Sequence, residues 1–504
     1  MLYQNPIIPG FYPDPSVCRV GEDYYLVTSS FEYFPGVPVF HSRDLLNWRQ
    51  IGHCLTRASQ LPLEKAPASR GIWAPTIRYH GGRFYMITTN VSMQPEQKHF
   101  IVSTDDPSGE WSEPVLVRTD ERGIDPSLTF DEDGTVYFQC ATRRGIVQSP
   151  ISVETGELAF KPKPLWIGTG GKATEGPHLY NINGTYYLML AEGGTEYGHM
   201  ETIARSDSPW GPYEGCPHNP ILSHRSFASP IQCTGHGDMV QDHTGNWWLA
   251  HLGVRPATPH CHHLGRETYL APVRWDEQGW PYAGLWGHIG LKMEAECLPS
   301  HPWPEQPARD DFDQPNLDLC WNFLRNPRAE DWSLTERPGC LRLRGSAVTL
   351  DDHDSPAFVG RRQRNFDCKA TVSLDFQPKS ANEEAGLTAY MNPEHHYEIA
   401  VRYGENRKRE VFVRRRIGSL RAEVASTPVD DGDVLLRIES EAHVYRFSVS
   451  QDGETWRQLA EGETRYLSSE VAGGFTGVYF GMYATGNGKR CEAVADFEWF
   501  EYMV

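Results

Sequence analysis

Five segments within residues 1–297 repeat one local design. Each starts from turn-forming residues and runs into paired aromatics or a β-branched–aromatic pair. They are Asp23-Tyr24-Tyr25, Gly82-Arg83-Phe84-Tyr85, Gly134-Thr135-Val136-Tyr137, Gly184-Thr185-Tyr186-Tyr187 and Gly245-Asn246-Trp247-Trp248, spaced about 50 to 60 residues apart. That period suits the blades of a propeller, each a small antiparallel sheet beside a central channel. About a dozen residues before each aromatic stand Asp14, Trp73, Asp125, Glu175 and His236. In a closed ring the innermost strands converge, so these five positions would meet at the axis. A purely structural axis would be filled with small apolar side chains. Carboxylates gathered there repel one another and lose hydration, which is costly unless they bind or react.

Proline follows Asp14 and Asp125 directly, in Pro13-Asp14-Pro15-Ser16 and Ile124-Asp125-Pro126-Ser127. This is expected to hold both aspartates in extended backbone and fix their aim. In Trp73-Ala74-Pro75 and Glu175-Gly176-Pro177 the proline comes one residue later. A lone Asp-Pro is more often a turn than a catalyst; the offset shared between repeats sets these apart. Two or three carboxylates with aromatic platforms, and no nucleophilic Ser or Cys motif, point to glycoside hydrolysis. That reaction needs an acid of raised pKa to protonate the leaving oxygen and a carboxylate on the opposite face of the sugar ring.

Short strand-like runs bounded by Gly, Pro, Asn and Asp, with almost no helical periodicity, predict an all-β chain. The propeller domain is assigned to residues 1–297. Four prolines between Leu298 and Pro307 mark a stiff linker, 298–309. Residues 310–504 carry longer alternating strands, such as Tyr445-Arg446-Phe447-Ser448-Val449-Ser450 before an Asp452-Gly453 turn. They predict a β-sandwich of jelly-roll or lectin-like type. Arg414-Arg415-Arg416 is expected at a solvated strand end.

The net charge of −19 argues against a nucleic-acid partner. Eleven cysteines without paired spacing suggest reduced thiols and a cytoplasmic protein. The first residues lack the pattern of a secretion signal, and no apolar run is long enough to span a membrane. Asn90-Val91-Ser92 and Asn183-Gly184-Thr185 fit the glycosylation pattern, which means little in a cytoplasmic chain.

At these residues the chain resembles glycoside hydrolase family 43, in particular its β-xylosidases with an added C-terminal sandwich. The carrying segments are Gly10-Phe11-Tyr12-Pro13-Asp14-Pro15-Ser16, Thr28-Ser29-Ser30-Phe31-Glu32-Tyr33-Phe34-Pro35-Gly36 and Gly71-Ile72-Trp73-Ala74-Pro75, then Thr174-Glu175-Gly176-Pro177-His178, Gly235-His236-Gly237-Asp238 and Leu264-Gly265-Arg266-Glu267-Thr268. The resemblance implies a five-bladed propeller and inverting hydrolysis. Asp14 matches the general base, Glu175 the general acid, and Asp125 the residue that modulates and orients the acid. Arg266 matches a sugar-contacting arginine, and Phe31 and Trp73 match apolar pocket walls. Gly473-Gly474-Phe475-Thr476-Gly477 resembles a loop that the sandwich sends into the pocket, with one Phe, Phe475, where relatives have two.

The resemblance implies an exo-acting enzyme that removes xylose from the non-reducing end of β-1,4-xylo-oligosaccharides. An α-L-arabinofuranosidase, or an enzyme with both activities, is the alternative, and a non-catalytic sugar-binding propeller is a third reading. Relatives are often dimers or tetramers, so a homo-oligomer is expected. In some relatives the histidine matching His236 contacts calcium. The alternative for His236 is hydrogen bonding to the carboxylates, and no organic cofactor is expected. The run His260-Cys261-His262-His263 lacks the paired spacing of a zinc site and reads as a pocket-flanking loop before Arg266.

Overall fold

The computed structural model describes residues 2–92, 98–257, 260–295, 297–404 and 408–504. Each of the five repeats builds one antiparallel sheet whose strands follow chain order outward. The first two strands of successive blades are Ser16–Val20 and Asp23–Val27, Thr76–His80 and Arg83–Asn90, Gly123–Phe130 and Val136–Thr142, Glu175–Ile182 and Thr185–Glu192, and Gln232–Gln241 and Trp247–Val254. Leu2–Gln4 pairs with Lys292–Glu294, which ties the start of the propeller to its end.

The repeated motif is the hairpin between the first and second strand of each blade. Gly21, Gly82, Gly134, Gly184 and Gly245 turn it with φ of 65°, 86°, 85°, 84° and 96°, a left-handed conformation that glycine adopts without a Cβ penalty. Tyr24, Phe84, Tyr137, Tyr187 and Trp248, just beyond, are buried. Phe84 packs with Val27, Ile77 and Met86 between blades 1 and 2. Trp248 packs with Leu26 and Leu270 between blades 5 and 1. The hairpin closes one end of each innermost strand, and the residues a dozen positions upstream lie at the other end. That geometry is the origin of the constant offset.

The second domain is two packed sheets. The larger centres on Cys368–Phe376 and Ala495–Met503; the other runs Ala357–Arg362, Tyr479–Thr485, Glu384–Asn392, His395–Tyr403, Arg409–Ile417, Leu420–Pro428. Val372, Leu374, Leu387, Ile399, Leu436, Phe447, Phe480 and Phe500 fill the space between them. Arg414 corrects one expectation. It lies within a strand, not at a solvated end, and its guanidinium meets Glu398 at 2.6 Å and Glu384 at 2.8 Å in a nearly buried ion-pair network. The charge run hid it because the alternating strand sends successive side chains to opposite faces.

The six-stranded sheet turns its other face to the propeller. Phe358, Tyr390, Phe412, Tyr479 and Tyr483 pack with Phe11, Phe31 and Tyr33, and the Tyr33 and Tyr479 rings stack 3.9 Å apart at 9°. Tyr33–Phe34 pairs with Phe323–Leu324, joining the domains by main-chain hydrogen bonds. The proline-rich stretch is held too: Trp303 donates its indole N–H to Asn47 O (3.1 Å) and lies under Arg49.

Candidate active site

A cavity of about 260 Å³ opens at the end of the propeller axis that faces the sandwich. Asp14, Phe31, Trp73, Asp125, Glu175, His236, Arg266 and Phe475, the eight site residues named from the sequence, all line it.

Irregular backbone aims the central side chains. The pairing register slips between Ile124 and Ser127, between Glu175 and His178, and between Gly235 and Asp238. These are bulges at the pocket ends of the innermost strands, where an extra residue re-aims a side chain. Asp14, Asp125 and His236 have φ of 55°, 53° and 50°. The expectation of extended backbone at Asp14 and Asp125 is therefore corrected. Proline restricts the residue before it, yet both aspartates stand in the left-handed region, Asp125 within a bulge and Asp14 just before its strand, at a cost of about 1–3 kcal/mol each. In blade 4 the positive φ falls on Gly176 (59°), so Glu175 itself is spared that strain.

Arg266 reaches the pocket from a loop that the sandwich holds. Val478 N–H donates to His263 O (2.9 Å) and Ser469 N–H to His262 O (3.3 Å). The Glu470 carboxylate accepts the His262 N–H (3.0 Å) and sits 2.7 Å from its Nδ1. A Cβ at Gly477 would lie 2.5 Å from Leu264 O, so the two backbones touch. The His260-Cys261-His262-His263 run is thus an anchor for Arg266. Among the described residues no three His, Cys, Asp or Glu side chains are grouped to hold a metal.

The three carboxylates experience different fields. Burial pushes the Asp14 carboxyl up. Arg266 and His236 beside it and the Ser29 hydroxyl outweigh that and hold it below its usual range. The Arg266 guanidinium donates to both Asp14 oxygens, at 2.7 and 3.3 Å, and Ser29 Oγ donates to Oδ2 at 2.6 Å. Among the described residues Glu175 has no such partner. Burial and the negative charge of Asp14 push it up to about 7, against the pull of Arg266. Asp125 is pushed well above its usual range by burial, then by Glu175 and Asp14, while the N–H of Gly176, 3.2 Å from Oδ2, pulls the other way. Asp14 repels both of these carboxyls, and Asp125 and Glu175 repel each other.

His236 is buried, and desolvation keeps its pKa below the usual value despite Asp14, whose Oδ1 is 3.5 Å from Nδ1. Calcium prefers six to eight oxygen ligands, and the residues here do not supply them. Asp238, the oxygen donor in the Gly235-His236-Gly237-Asp238 motif, is paired with Arg78 at 2.7 Å and accepts hydroxyls from Ser16 and Tyr180. The Asp14 oxygens are engaged as above. The chamber between His236, His178, Asp14 and Asp125 measures about 10 Å³, room for about one water.

Four further residues define the site. Ser29, which fixes Asp14, lies inside a segment quoted from the sequence but was not singled out there. Thr195, Lys172 and Glu196 line the cavity from blade-4 loops. Arg266 Nη1 lies 3.3 Å from Thr195 Oγ1, and the exposed Lys172 and Glu196 side chains pair at 2.6 Å on the rim. These loops carry no repeat signal, so no spacing could have marked them.

The model of "Glycosyl hydrolases family 43" matches residues 3–281, and that of the "Beta xylosidase C-terminal Concanavalin A-like domain" matches residues 309–503. A non-reducing end α-L-arabinofuranosidase of Bacteroides ovatus is 46% identical over 99% of this chain and 94% of its own length. A xylosidase/arabinosidase of Butyrivibrio fibrisolvens is 38% identical over 99% of both. Among solved structures, a xylan β-1,4-xylosidase of Bacillus halodurans superposes with a TM-score of 0.94 at 36% identity, covering 100% of both chains. With the family model spanning more than half its length and these relatives matching end to end, the chain belongs to glycoside hydrolase family 43.

Proposed function

We propose that the protein is an inverting exo-pentosidase that removes xylose from the non-reducing end of β-1,4-xylo-oligosaccharides. The observation that carries this reading is the opposite displacement of two carboxyls in one cavity, with Asp14 held below its usual range and Glu175 raised to about 7. Near neutral pH the first is an anion and the second keeps its proton for much of the time, the pairing that glycoside cleavage requires. Asp14 takes a proton from a water that attacks the anomeric carbon. Glu175 gives its proton to the glycosidic oxygen as that bond breaks on the opposite face. Oδ2 of Asp14 accepts from both Arg266 and Ser29, whereas Oδ1 accepts from Arg266 and retains a further lone pair for the water. Inversion requires about 6.5–9.5 Å between the two carboxyls. The ring of Phe475 over the pocket supports exo cleavage, because a closed wall leaves space on one side of the scissile bond only.

An α-L-arabinofuranosidase activity of the same pocket is the second reading, favoured by the 46% identity to the Bacteroides ovatus arabinofuranosidase. Both reactions would use the same three carboxylates. NMR of products from xylotriose, beside rates on aryl xyloside and aryl arabinofuranoside, tests the proposal. Xylose released first as the α-anomer is expected. Retained configuration rejects the mechanism. Turnover of the arabinofuranoside without any xylose release moves the assignment to the second reading. We further propose that the protein acts in the cytoplasm as a homo-oligomer.

A further inference from the structure

Ser69 is a buried residue in the excursion between blades 1 and 2, and all three of its polar groups are directed at the pocket wall. Its carbonyl accepts the indole N–H of Trp73 at 3.0 Å. Its hydroxyl accepts the main-chain N–H of Phe475, from the other domain, at 2.9 Å. Its own N–H donates to Glu32 Oε2 at 3.0 Å, and Glu32 follows Phe31, the third aromatic of the wall. Ser69 has a φ of 59°, a conformation a β-branched residue adopts only with strain.

The fit is close on the sandwich side as well. Gly474 has a φ of 82°, and a Cβ there would lie 2.4 Å from Ser69 Oγ. The Phe475 ring is meanwhile poorly held. It is 39% exposed, with centroids 6.3 Å from Phe31 and 5.7 Å from Trp73. The main-chain hydrogen bond to Ser69 ties this residue to the propeller.

We propose that Ser69 is a positioning residue for substrate specificity: it locks Phe475 of the sandwich against Trp73 of the propeller and so sets the width of the sugar pocket. The inference rests on the pocket being the pentose site. Ser69 touches none of the reacting groups, so its loss acts through the wall. Binding of the terminal sugar weakens, while proton transfer by Asp14 and Glu175 continues.

The test is a double-mutant cycle of Ser69→Ala with Phe475→Ala on an aryl pentoside, reading KM, kcat and the inhibition constant of free xylose. Ser69→Ala retains the main-chain bonds to Trp73 and Glu32 and removes the acceptor for Phe475. The expected result is a rise of about 3- to 10-fold in KM and in the inhibition constant, with kcat changed less than about 2-fold, from the loss of one hydrogen bond. In the Phe475→Ala background the same change should add almost nothing. Gly474→Ala, which crowds the same contact, should reproduce the KM effect and serves as the second variant if Ser69→Ala folds poorly. Additive effects of Ser69→Ala and Phe475→Ala, or a fall in kcat at constant KM, would overturn the proposal. A parent enzyme inactive on both aryl pentosides would reject the functional reading itself, a result distinct from an active parent with additive mutants.

Discussion

The floor and the wall of the pocket are built on different principles. The floor comes from one domain by repetition: the innermost strands bring Asp14, Asp125, Glu175 and His236 to the axis, and bulges aim the last three. The wall is aromatic and comes from both domains, with Phe31 and Trp73 on propeller loops and Phe475 on a sandwich loop. The floor spends conformational strain and buried charge to set protonation states. The wall spends little of either, and its geometry depends on the domain seam. Chemistry should therefore fail when the floor is altered, and sugar affinity should fail when the wall is altered.

The largest effects belong to the floor. Glu175→Ala and Asp14→Ala should each lower kcat by about 10²–10⁴-fold, the usual worth of a positioned acid or base. The two are separable by leaving group. A dinitrophenyl pentoside, which needs little protonation, should restore much of the Glu175→Ala rate and none of the Asp14→Ala rate. Equal restoration of both variants would undo the assignment of acid and base.

Arg266 stands between floor and wall. It bonds both Asp14 oxygens and lies 5.5 Å below the Phe31 ring and 5.6 Å from that of Phe475. Arg266→Ala leaves a buried carboxylate without its cation, a cost of about 3–5 kcal/mol, so kcat/KM should fall by about 10²–10³-fold. The pH profile should report the same loss. With burial no longer offset, the Asp14 pKa rises, more of the base is protonated at a given pH, and the acidic limb moves to higher pH. An unmoved limb would mean that another group carries it.

In the parent the alkaline limb should fall near pH 7, where Glu175 loses its proton, because activity requires that proton and is lost as pH rises through this value. Asp125→Asn should lower kcat and move this limb to lower pH, because the variant removes a carboxyl that repels Glu175. An unmoved limb would reject Asp125 as the electrostatic modulator that the family resemblance implies.

The wall gives smaller effects. Phe475→Ala removes ring contacts worth about 0.5–1.5 kcal/mol, so KM should rise about 2- to 10-fold with kcat nearly unchanged. A kcat loss as large as that of Glu175→Ala would erase the distinction between the two halves of the pocket.

The same division decides what was legible in the sequence. Asp14, Asp125, Glu175 and His236 stand at a fixed distance from a hairpin that glycine and an aromatic mark in every blade, so repetition exposes them. The left-handed backbone at Asp14 and Asp125 was not legible, because Asp-Pro by itself favours extended geometry, and the bulge at Asp125 is a property of the paired strands. Phe475 could be named only by resemblance, since one phenylalanine in a glycine-rich turn has no periodicity to betray it. Ser69, Thr195 and Lys172 lay beyond both signals. Their roles arise from contacts between loops or domains, for which local sequence holds no pattern. Arg414 shows the opposite limit: a cluster of like charges reads as a surface until the sheet faces it with Glu384 and Glu398.

The smallest expected effect concerns His236, the one floor position whose chemistry the repeat leaves open. If it held calcium, the ion would sit beside the Asp14 anion, lower its pKa further and weaken it as a base. Chelation would then change the rate, and returned calcium would reverse the change. The donors argue otherwise. Asp238 is committed to Arg78, whose positive charge would oppose a cation at that carboxylate, and the neighbouring chamber has room for about one water. His236 instead contributes to the field that keeps Asp14 ionised. Dialysis against a chelator should therefore leave kcat/KM within about 2-fold, with no recovery on adding calcium, as expected where no ion enters the pocket. His236→Ala should raise the acidic limb less than Arg266→Ala does, because Arg266 exerts the stronger pull on Asp14. A rate that collapses on chelation and returns with calcium would make the floor a metal site and His236 its ligand.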